Sequence, residues 1–260
     1  MLNKLMYKNM VLRDSLFTEK QYLDQLTKYS RRSRQLENSI DELLKAEKEH
    51  VQLYSVPNRE VLRNKCNTLF GCKLNSFVTK YSMGEDVVKL RSDYDDLVKI
   101  LKDNWTITGG YVQMLWMLSI GIMLDTDINN IQILSDMIND EHVDDFLYNI
   151  FIKYRLPNWE RNSNTILFPI PYQSMLSIFI SSKQSNLLAI EKIEKYIKKE
   201  WYRGHSDCSW YNDHKYGIVH NGYWSFESGA LVKVLGLDDS ILKGQPYYPY
   251  DMVNWADGQK

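Results

Sequence analysis

Reactive side chains are concentrated in residues 201–227, near the end of the chain. This stretch contains three of the five histidines. Its candidate catalytic or metal-binding residues are His205, Asp207, Cys208, Asp213, His214, His220 and Glu227. Cys208 beside a histidine could form a nucleophile–base pair. His205, Asp207 and His214 could instead supply the ligands of a zinc ion.

Neither arrangement has the spacing of a known site, because HExxH, CxxC and GxSxG motifs and a phosphate-binding glycine loop do not occur. We therefore interpret these polar groups as structural, holding a loop that crosses an aromatic-rich segment. Glu227 is expected to be half-buried and to accept hydrogen bonds from residues 246–251. No catalytic residue, metal ion or cofactor is predicted. A metal-dependent enzyme using the His205–Glu227 region is the least favoured alternative.

A second unusual stretch, residues 125–145, is acidic and contains no lysine or arginine. Its carboxylates are Asp125, Asp127, Asp136, Asp140, Glu141, Asp144 and Asp145. A stripe at helical spacing is formed by Ile128, Ile131, Leu134 and Ile138. The pattern predicts an amphipathic helix with an acidic outer face, followed by a helix over about 143–154.

Like charges this close together repel and cost stability. A surface built to meet a basic partner would show the same pattern, because complementary charge speeds and directs association. A carboxylate-rich metal site is a weaker alternative, since the stretch lacks paired histidines and regular ligand spacing. We therefore predict a partner-binding role for Asp136, Asp140, Glu141, Asp144 and Asp145.

The composition is that of a globular protein, with 260 residues of which 44% are hydrophobic and 25% charged. The formal net charge of −1 excludes a generally basic nucleic-acid binder. Three cysteines cannot form a disulfide framework and are typical of a reducing compartment. The longest apolar segment, 111–124, is shorter than the ~20 residues of a membrane span. We expect a cytoplasmic protein without direct contact to membrane or nucleic acid.

Helical spacing dominates the chain, and no strand-like alternation of any length occurs before residue 160. Thr18 and Gln21 form a capping-box signal for the first long helix. An apolar segment, 111–124, predicts a central buried helix. The predicted fold is all-α, an irregular multi-helix bundle of antiparallel helix pairs with an extended aromatic and proline-rich C-terminal wrap. Helical regions 1–125 and 126–260 are expected to form one compact unit.

The C-terminal residues contain three distinctive motifs: GYWSFE at 222–227, GLDDS at 236–240 and PYYPYD at 246–251. Asn221 is expected to cap a buried helix that ends at Gly236, where glycine favours the left-handed conformation. Pro246 and Pro249 predict an extended segment after it.

These motifs closely resemble the C-terminal signature of PoNi-type immunity proteins, the cognate inhibitors of PoNe polymorphic nuclease toxins. A weaker similarity lies in Arg13-Asp14 and in Tyr94 to Leu97. The sequence departs from the expected pattern at Ser228-Gly229, where alanines are expected. Both residues are small, so close helix packing is retained at a propensity cost of roughly 1 kcal/mol for the glycine.

The resemblance implies an immunity protein that binds and neutralises a cognate DNase-type toxin in the cytoplasm, without catalysis and in a stoichiometric complex. A helical scaffold for another protein partner is the alternative. The acidic residues are predicted from charge alone and not from the resemblance. Residues of the signature are expected mainly to build the fold; they are Tyr223, Trp224, Phe226, Glu227, Asp238, Asp239, Tyr248, Pro249 and Asp251.

Overall fold

A computed structural model describes residues 11–102 and 104–256, and no strand occurs among them. The helices are α1 Glu19–Lys48, α2 Asn58–Ser82, α3 Val87–Leu101, α4 Ile107–Met123, α5 Ile128–Asp140, α6 Phe146–Arg155, α7 Pro169–Ser182, α8 Asn186–Tyr196, α9 Tyr202–Gly204, α10 Phe226–Leu235 and α11 Tyr250–Asn254. A π-helical stretch, Ile197–Trp201, continues α8. The all-α multi-helix prediction is confirmed.

The described residues form two compact units. Unit 1 comprises residues 11–102, 104–105 and 212–222, and unit 2 comprises residues 106–211 and 223–256. In unit 1, α2 packs against both α1 and α3. α1 begins as predicted, because Thr18 Oγ1 accepts a 3.3 Å hydrogen bond from Gln21 N and Gln21 Oε1 accepts a 3.0 Å bond from Thr18 N.

Asn221 does not cap a helix, and this expectation is wrong. Its side-chain oxygen accepts hydrogen bonds from Gln25, from Tyr29 at 2.7 Å and from Thr79 at 3.1 Å. These donors lie on α1 and α2. Segment 212–222 is therefore fastened to the first two helices of unit 1, and α10 begins only at Phe226.

Unit 2 is built around α4, which packs against α5, α6 and α10. Its side chains are buried on all sides from Tyr111 to Met123 except at three partly buried positions. Thr108 and Gly109 have non-helical backbone angles, with φ of 82° at Gly109. The regular helix therefore begins at Gly110, next to the predicted start at Tyr111.

α10 packs very closely against its neighbours at Gly229. A Cβ atom placed there would lie 2.6 Å from Met123 Sδ, 2.8 Å from Pro249 Cγ and 3.0 Å from Val253 Cγ2. Glycine, and not the alanine expected from the family pattern, is therefore needed for the contact with both α4 and the C-terminal segment.

The C-terminal segment is less extended than predicted, because residues 250–254 form α11. Pro249 directly precedes this helix, a position where proline is tolerated because its missing N–H has no partner to lose. Tyr248 Oη donates a 2.7 Å hydrogen bond to Asp239 Oδ2, and Asn254 Nδ2 donates to both carboxylate oxygens of Asp239. These bonds hold α11 against the turn after α10.

Gly229→Ala is expected to lower the free energy of unfolding by about 1–3 kcal/mol, because the added methyl overpacks the contact with α4 and α11. Gly71→Ala is the matched control, since Gly71 lies inside α2 with no atom within 4 Å of a new Cβ. The control should be neutral or stabilising by up to about 1 kcal/mol. Urea unfolding measures both, and equal effects would contradict the packing argument.

Candidate functional site

The reactive residues found in the sequence belong to different units. Asp213, His214 and His220 lie in unit 1, whereas His205, Asp207, Cys208 and Glu227 lie in unit 2. Among residues 11–102 and 104–256, no group of three or more histidine, cysteine, aspartate or glutamate side chains is arranged to hold a metal ion.

In unit 1, His220 is buried between two carboxylates. Its Nδ1 lies 2.8 Å from Asp213 Oδ1, and its Nε2 lies 3.2 Å from Asp14 Oδ2. Burial alone would lower the pKa of this imidazole, but the hydrogen bonds and charges of Asp14 and Asp213 raise the pKa to about 9. Burial would likewise raise the pKa of Asp14, and the bond and charge of His220 reverse this and lower it.

His220 is therefore positively charged at neutral pH, with both ring nitrogens donating hydrogen bonds. A general base needs a free lone pair and a pKa near the working pH, and this imidazole has neither. The arrangement ties segment 212–222 to the residues before α1. Arg13 joins the same residues before α1 to the end of α2, since it donates to Tyr81 O at 2.9 Å and to Glu85 O at 2.8 Å.

In unit 2, His205 lies in an aromatic cluster. Its Nδ1 lies 2.7 Å from Trp201 O, and its Nε2 lies 3.0 Å from Tyr172 Oη. Burial lowers the pKa of His205. Burial, with the charge of Asp207, raises the pKa of the Cys208 thiol to about 11. A protonated thiol is a poor nucleophile, so the raised pKa of Cys208 favours the structural interpretation of this loop.

Glu227 is wholly buried, not half-buried as expected. Its Oε1 accepts hydrogen bonds from Ser225 Oγ at 2.6 Å and from Tyr196 Oη at 3.4 Å. The predicted donors in residues 246–251 are therefore replaced by donors from α8 and from the residue before α10. Burial raises the pKa of Glu227 to about 7.

Most of the remaining signature residues are also inside unit 2. The buried ones are Tyr223, Trp224, Phe226, Asp239, Tyr248 and Pro249. Asp238 and Asp251 are exposed. The Asp238 side chain accepts a 2.9 Å hydrogen bond from Ser240 N at the turn after α10, and this bond lowers the pKa of Asp238.

Four of the five predicted partner-binding residues are exposed in unit 2. We call them the acidic surface, which consists of Asp136, Asp140, Glu141 and Asp144. Asp136 Oδ1 accepts a 2.8 Å bond from Gln132 Nε2, Glu141 Oε2 a 3.1 Å bond from Ile107 N and Asp144 Oδ1 a 2.7 Å bond from Asn149 Nδ2.

Asp145 does not belong to the acidic surface, because it is wholly buried. Its Oδ1 accepts bonds from Leu147 N at 2.9 Å and Tyr148 N at 3.2 Å, as the N-cap of α6. Its Oδ2 accepts bonds from Leu167 N at 2.9 Å and Tyr111 Oη at 3.2 Å. Burial raises the pKa of Asp145. The prediction of partner contact is wrong for this residue.

Two residues of the acidic surface lie at the end of α5, where negative charge is unfavourable. Asp140 is the last residue of α5 and Glu141 is its C-cap, and the last turn carries no basic residue. Carboxylates at a helix C-terminus meet the negative end of the helix dipole, which costs about 0.3–1 kcal/mol each. Arg161 lies beside the end of the acidic surface, because it donates to Val143 O, one residue before Asp144. Its Cζ atom lies 5.5 Å from the ring centroid of Trp159.

Exposed apolar residues follow Arg161 in the chain, and sequence reasoning missed them. Leu167, Phe168 and Ile170 are 41%, 48% and 79% exposed. The one sequence feature that could have indicated them is the absence of charged residues from Asn162 to Ser182. That signal was insufficient, since a neutral run is as typical of a buried helix as of an exposed apolar surface.

No helix among the described residues combines the length and the hydropathy that crossing a membrane requires.

His220→Gln is expected to remove a pH-dependent part of the stability. The folded-state pKa of about 9 lies above the ordinary 6.5, so the stabilisation is complete below the ordinary value and is lost as the pH rises through the folded value. The wild-type free energy of unfolding should fall by roughly 2–3 kcal/mol over this range, and that of the variant by less than about 1 kcal/mol. Urea unfolding at several pH values tests this.

His50→Asn is the control, because His50 is exposed in a left-handed turn with φ of 56°, where asparagine is tolerated. It should keep the wild-type pH dependence. If the free energy of unfolding fell equally with rising pH in wild type and in His220→Gln, the charged state of His220 would be contradicted.

Comparison with solved structures finds a similar fold in the crystal structure of protein PA2201 from Pseudomonas aeruginosa. The TM-score is 0.66 at 18% sequence identity, and the match covers 96% of this chain and 99% of that chain. At this identity the similarity concerns the fold alone. No curated protein matches the chain.

Two family models match the sequence. The N-terminal model of the PoNe immunity protein (PoNi) matches residues 13–136, and the C-terminal model of PoNe immunity proteins matches residues 143–252. The resemblance based on the three C-terminal motifs is thereby confirmed and extends over most of the sequence. The chain belongs to the PoNi family of PoNe immunity proteins.

Proposed function

We propose that this chain protects the cell containing it by binding a PoNe nuclease toxin in the cytoplasm as a stoichiometric inhibitor. The observation that carries the proposal is the match to both PoNi family models across residues 13–136 and 143–252. The reactive residues give it chemical support. His220 is charged between two carboxylates, and the Cys208 thiol has a pKa of about 11, so neither has the state that catalysis would need.

The acidic surface is the proposed contact with the toxin. A nuclease binds a polyanion and usually presents a basic cleft, which a carboxylate-rich surface complements. The positions of Asp140 and Glu141 at the C-terminal end of α5 oppose the helix dipole. The position of Asp140 is therefore better explained by binding than by folding, whereas the bond of Glu141 to Ile107 N also serves the fold.

This attraction is local. The net charge of the chain is −1, so the molecule as a whole provides little attraction. At physiological ionic strength charges are screened beyond about 8 Å. The four carboxylates of the acidic surface lie within nine residues of one another in sequence and act together at short range.

The signature residues are proposed to build the fold and not the contact. Phe226 and Glu227 are wholly buried, and Tyr248 bonds to Asp239 inside unit 2. A toxin cannot reach them without unfolding the unit. Selectivity among toxins therefore falls to exposed residues, and of the signature residues only Asp238 and Asp251 are exposed.

Asp136→Lys combined with Asp140→Lys is expected to lower the association rate constant with the toxin at least about tenfold at low salt, because it turns attraction into repulsion. The fold should be retained, since a lysine at the end of α5 suits the helix dipole. Stopped-flow or surface-based kinetics with a catalytically inactive toxin from the neighbouring gene measures this, and cell survival during co-expression with active toxin gives the biological readout.

Asp41→Lys combined with Glu42→Lys is the matched control, since it makes the same change in net charge at two exposed positions of α1. The control should bind and protect almost as wild type does. Equal rates for both double variants would reject the acidic surface as the contact. Lack of protection and of complex with the wild-type chain would instead reject the immunity role for this toxin.

A further inference from the structure

The acidic surface explains fast and selective association better than it explains a long-lived complex. Surface charge pairs are screened and contribute little each, whereas lasting complexes depend on a few apolar or aromatic anchors that become fully buried. Charged residues then surround such anchors as a polar rim. A toxin inhibitor with this acidic surface needs an apolar anchor beside it.

Unit 2 has exposed apolar side chains in the required place. We call Leu167, Phe168 and Ile170 the apolar segment. Ile170 is 79% exposed and Phe168 is 48% exposed. Exposing large apolar side chains together is unfavourable in water, so burial of their exposed parts against a partner would be favourable.

Hydrogen bonds join the chain at the apolar segment to the residues that directly follow the acidic surface. Leu167 N donates to Asp145 Oδ2 at 2.9 Å, and Asp145 directly follows Asp144. Phe146 N donates to Thr165 O at 2.7 Å. The chain before α7 therefore runs beside the start of α6, where the acidic surface ends. This places the apolar segment close to Asp144, the last residue of the acidic surface.

Leu167 and Phe168 of the apolar segment are also held in place before any partner binds. Phe168 packs against Tyr111 with ring centroids 4.5 Å apart, and Tyr111 Oη donates to Asp145. The Leu167 bond fixes the backbone one residue earlier. A preorganised anchor loses little conformational entropy on binding, so more of the burial energy becomes affinity.

We propose that the apolar segment is the anchor of the toxin complex and that the acidic surface is part of its rim. This inference rests on the proposed function. The occupant is the PoNe nuclease toxin, through a surface where an apolar pocket is bordered by lysine or arginine side chains. Charge complementarity with the adjacent acidic surface selects this occupant over a second copy of the chain, whose own acidic surface would repel it.

Ile170→Ser tests the anchor with the least risk to the fold, because most of this side chain is already in water. The dissociation rate constant of the complex with catalytically inactive toxin is expected to rise at least about tenfold, with the association rate constant changed by less than about threefold. The salt dependence of association should stay as in wild type. Asp136→Lys combined with Asp140→Lys should show the opposite pattern, with its main effect on association.

Ile218→Ser is the matched control, an isoleucine that is 69% exposed in unit 1. The dissociation rate constant of its complex with the toxin should equal that of wild type. Phe168→Ser is a second test, read together with its urea unfolding curve because Phe168 also packs on Tyr111. Its dissociation should be faster at temperatures where the variant is fully folded.

The outcomes separate the two proposals. Absence of a wild-type complex rejects the proposed function for this toxin. A wild-type complex whose dissociation is unchanged by Ile170→Ser and by Phe168→Ser rejects the anchor and leaves the function intact. Faster dissociation with Ile218→Ser and not with Ile170→Ser places the anchor on segment 212–222 and also rejects the proposal. A wild-type dimer that Ile170→Ser converts to monomer, measured by light scattering, assigns the apolar segment to a second copy instead.

Discussion

The buried carboxylate of Asp145 is the interaction on which the proposed contact depends. It accepts hydrogen bonds from the start of α6, from Tyr111 on α4 and from Leu167 before α7. One side chain thus begins α6 and joins the residue after Asp144 both to α4 and to the apolar segment. Leaving these donors unsatisfied inside unit 2 would cost about 1–3 kcal/mol for each group.

Local sequence signals were sufficient for much of the fold. The capping box at Thr18, the helix stop at Gly236 and the buried helix α4 were all predicted from nearby residues, and the structure has them. Each depends on interactions within a few residues, where residue type and spacing determine the result.

The errors concern side chains whose partners are distant in sequence. Asn221 bonds to Gln25, Tyr29 and Thr79, which lie more than 140 residues earlier. Asp145 was grouped with its acidic neighbours, although an aspartate directly before the apolar run Phe146-Leu147-Tyr148 is also an N-cap signal. Periodicity could not choose between the two, because burial of Asp145 depends on Tyr111 and Leu167. The apolar segment was missed for the same reason.

The bond between His220 and Asp14 has a consequence for synthesis of the protein. Unit 1 is discontinuous, since its last residues, 212–222, follow most of unit 2 in the chain. At translation rates of roughly 5–20 residues per second, the ribosome needs on the order of 5–20 s to make the intervening stretch. During that time Asp14, Gln25 and Thr79 cannot form their hydrogen bonds to His220 and Asn221, because these two residues have not yet been synthesised. The N-terminal helices therefore reach their final packing only late in translation, and a fragment ending at residue 105 lacks a part of its own unit.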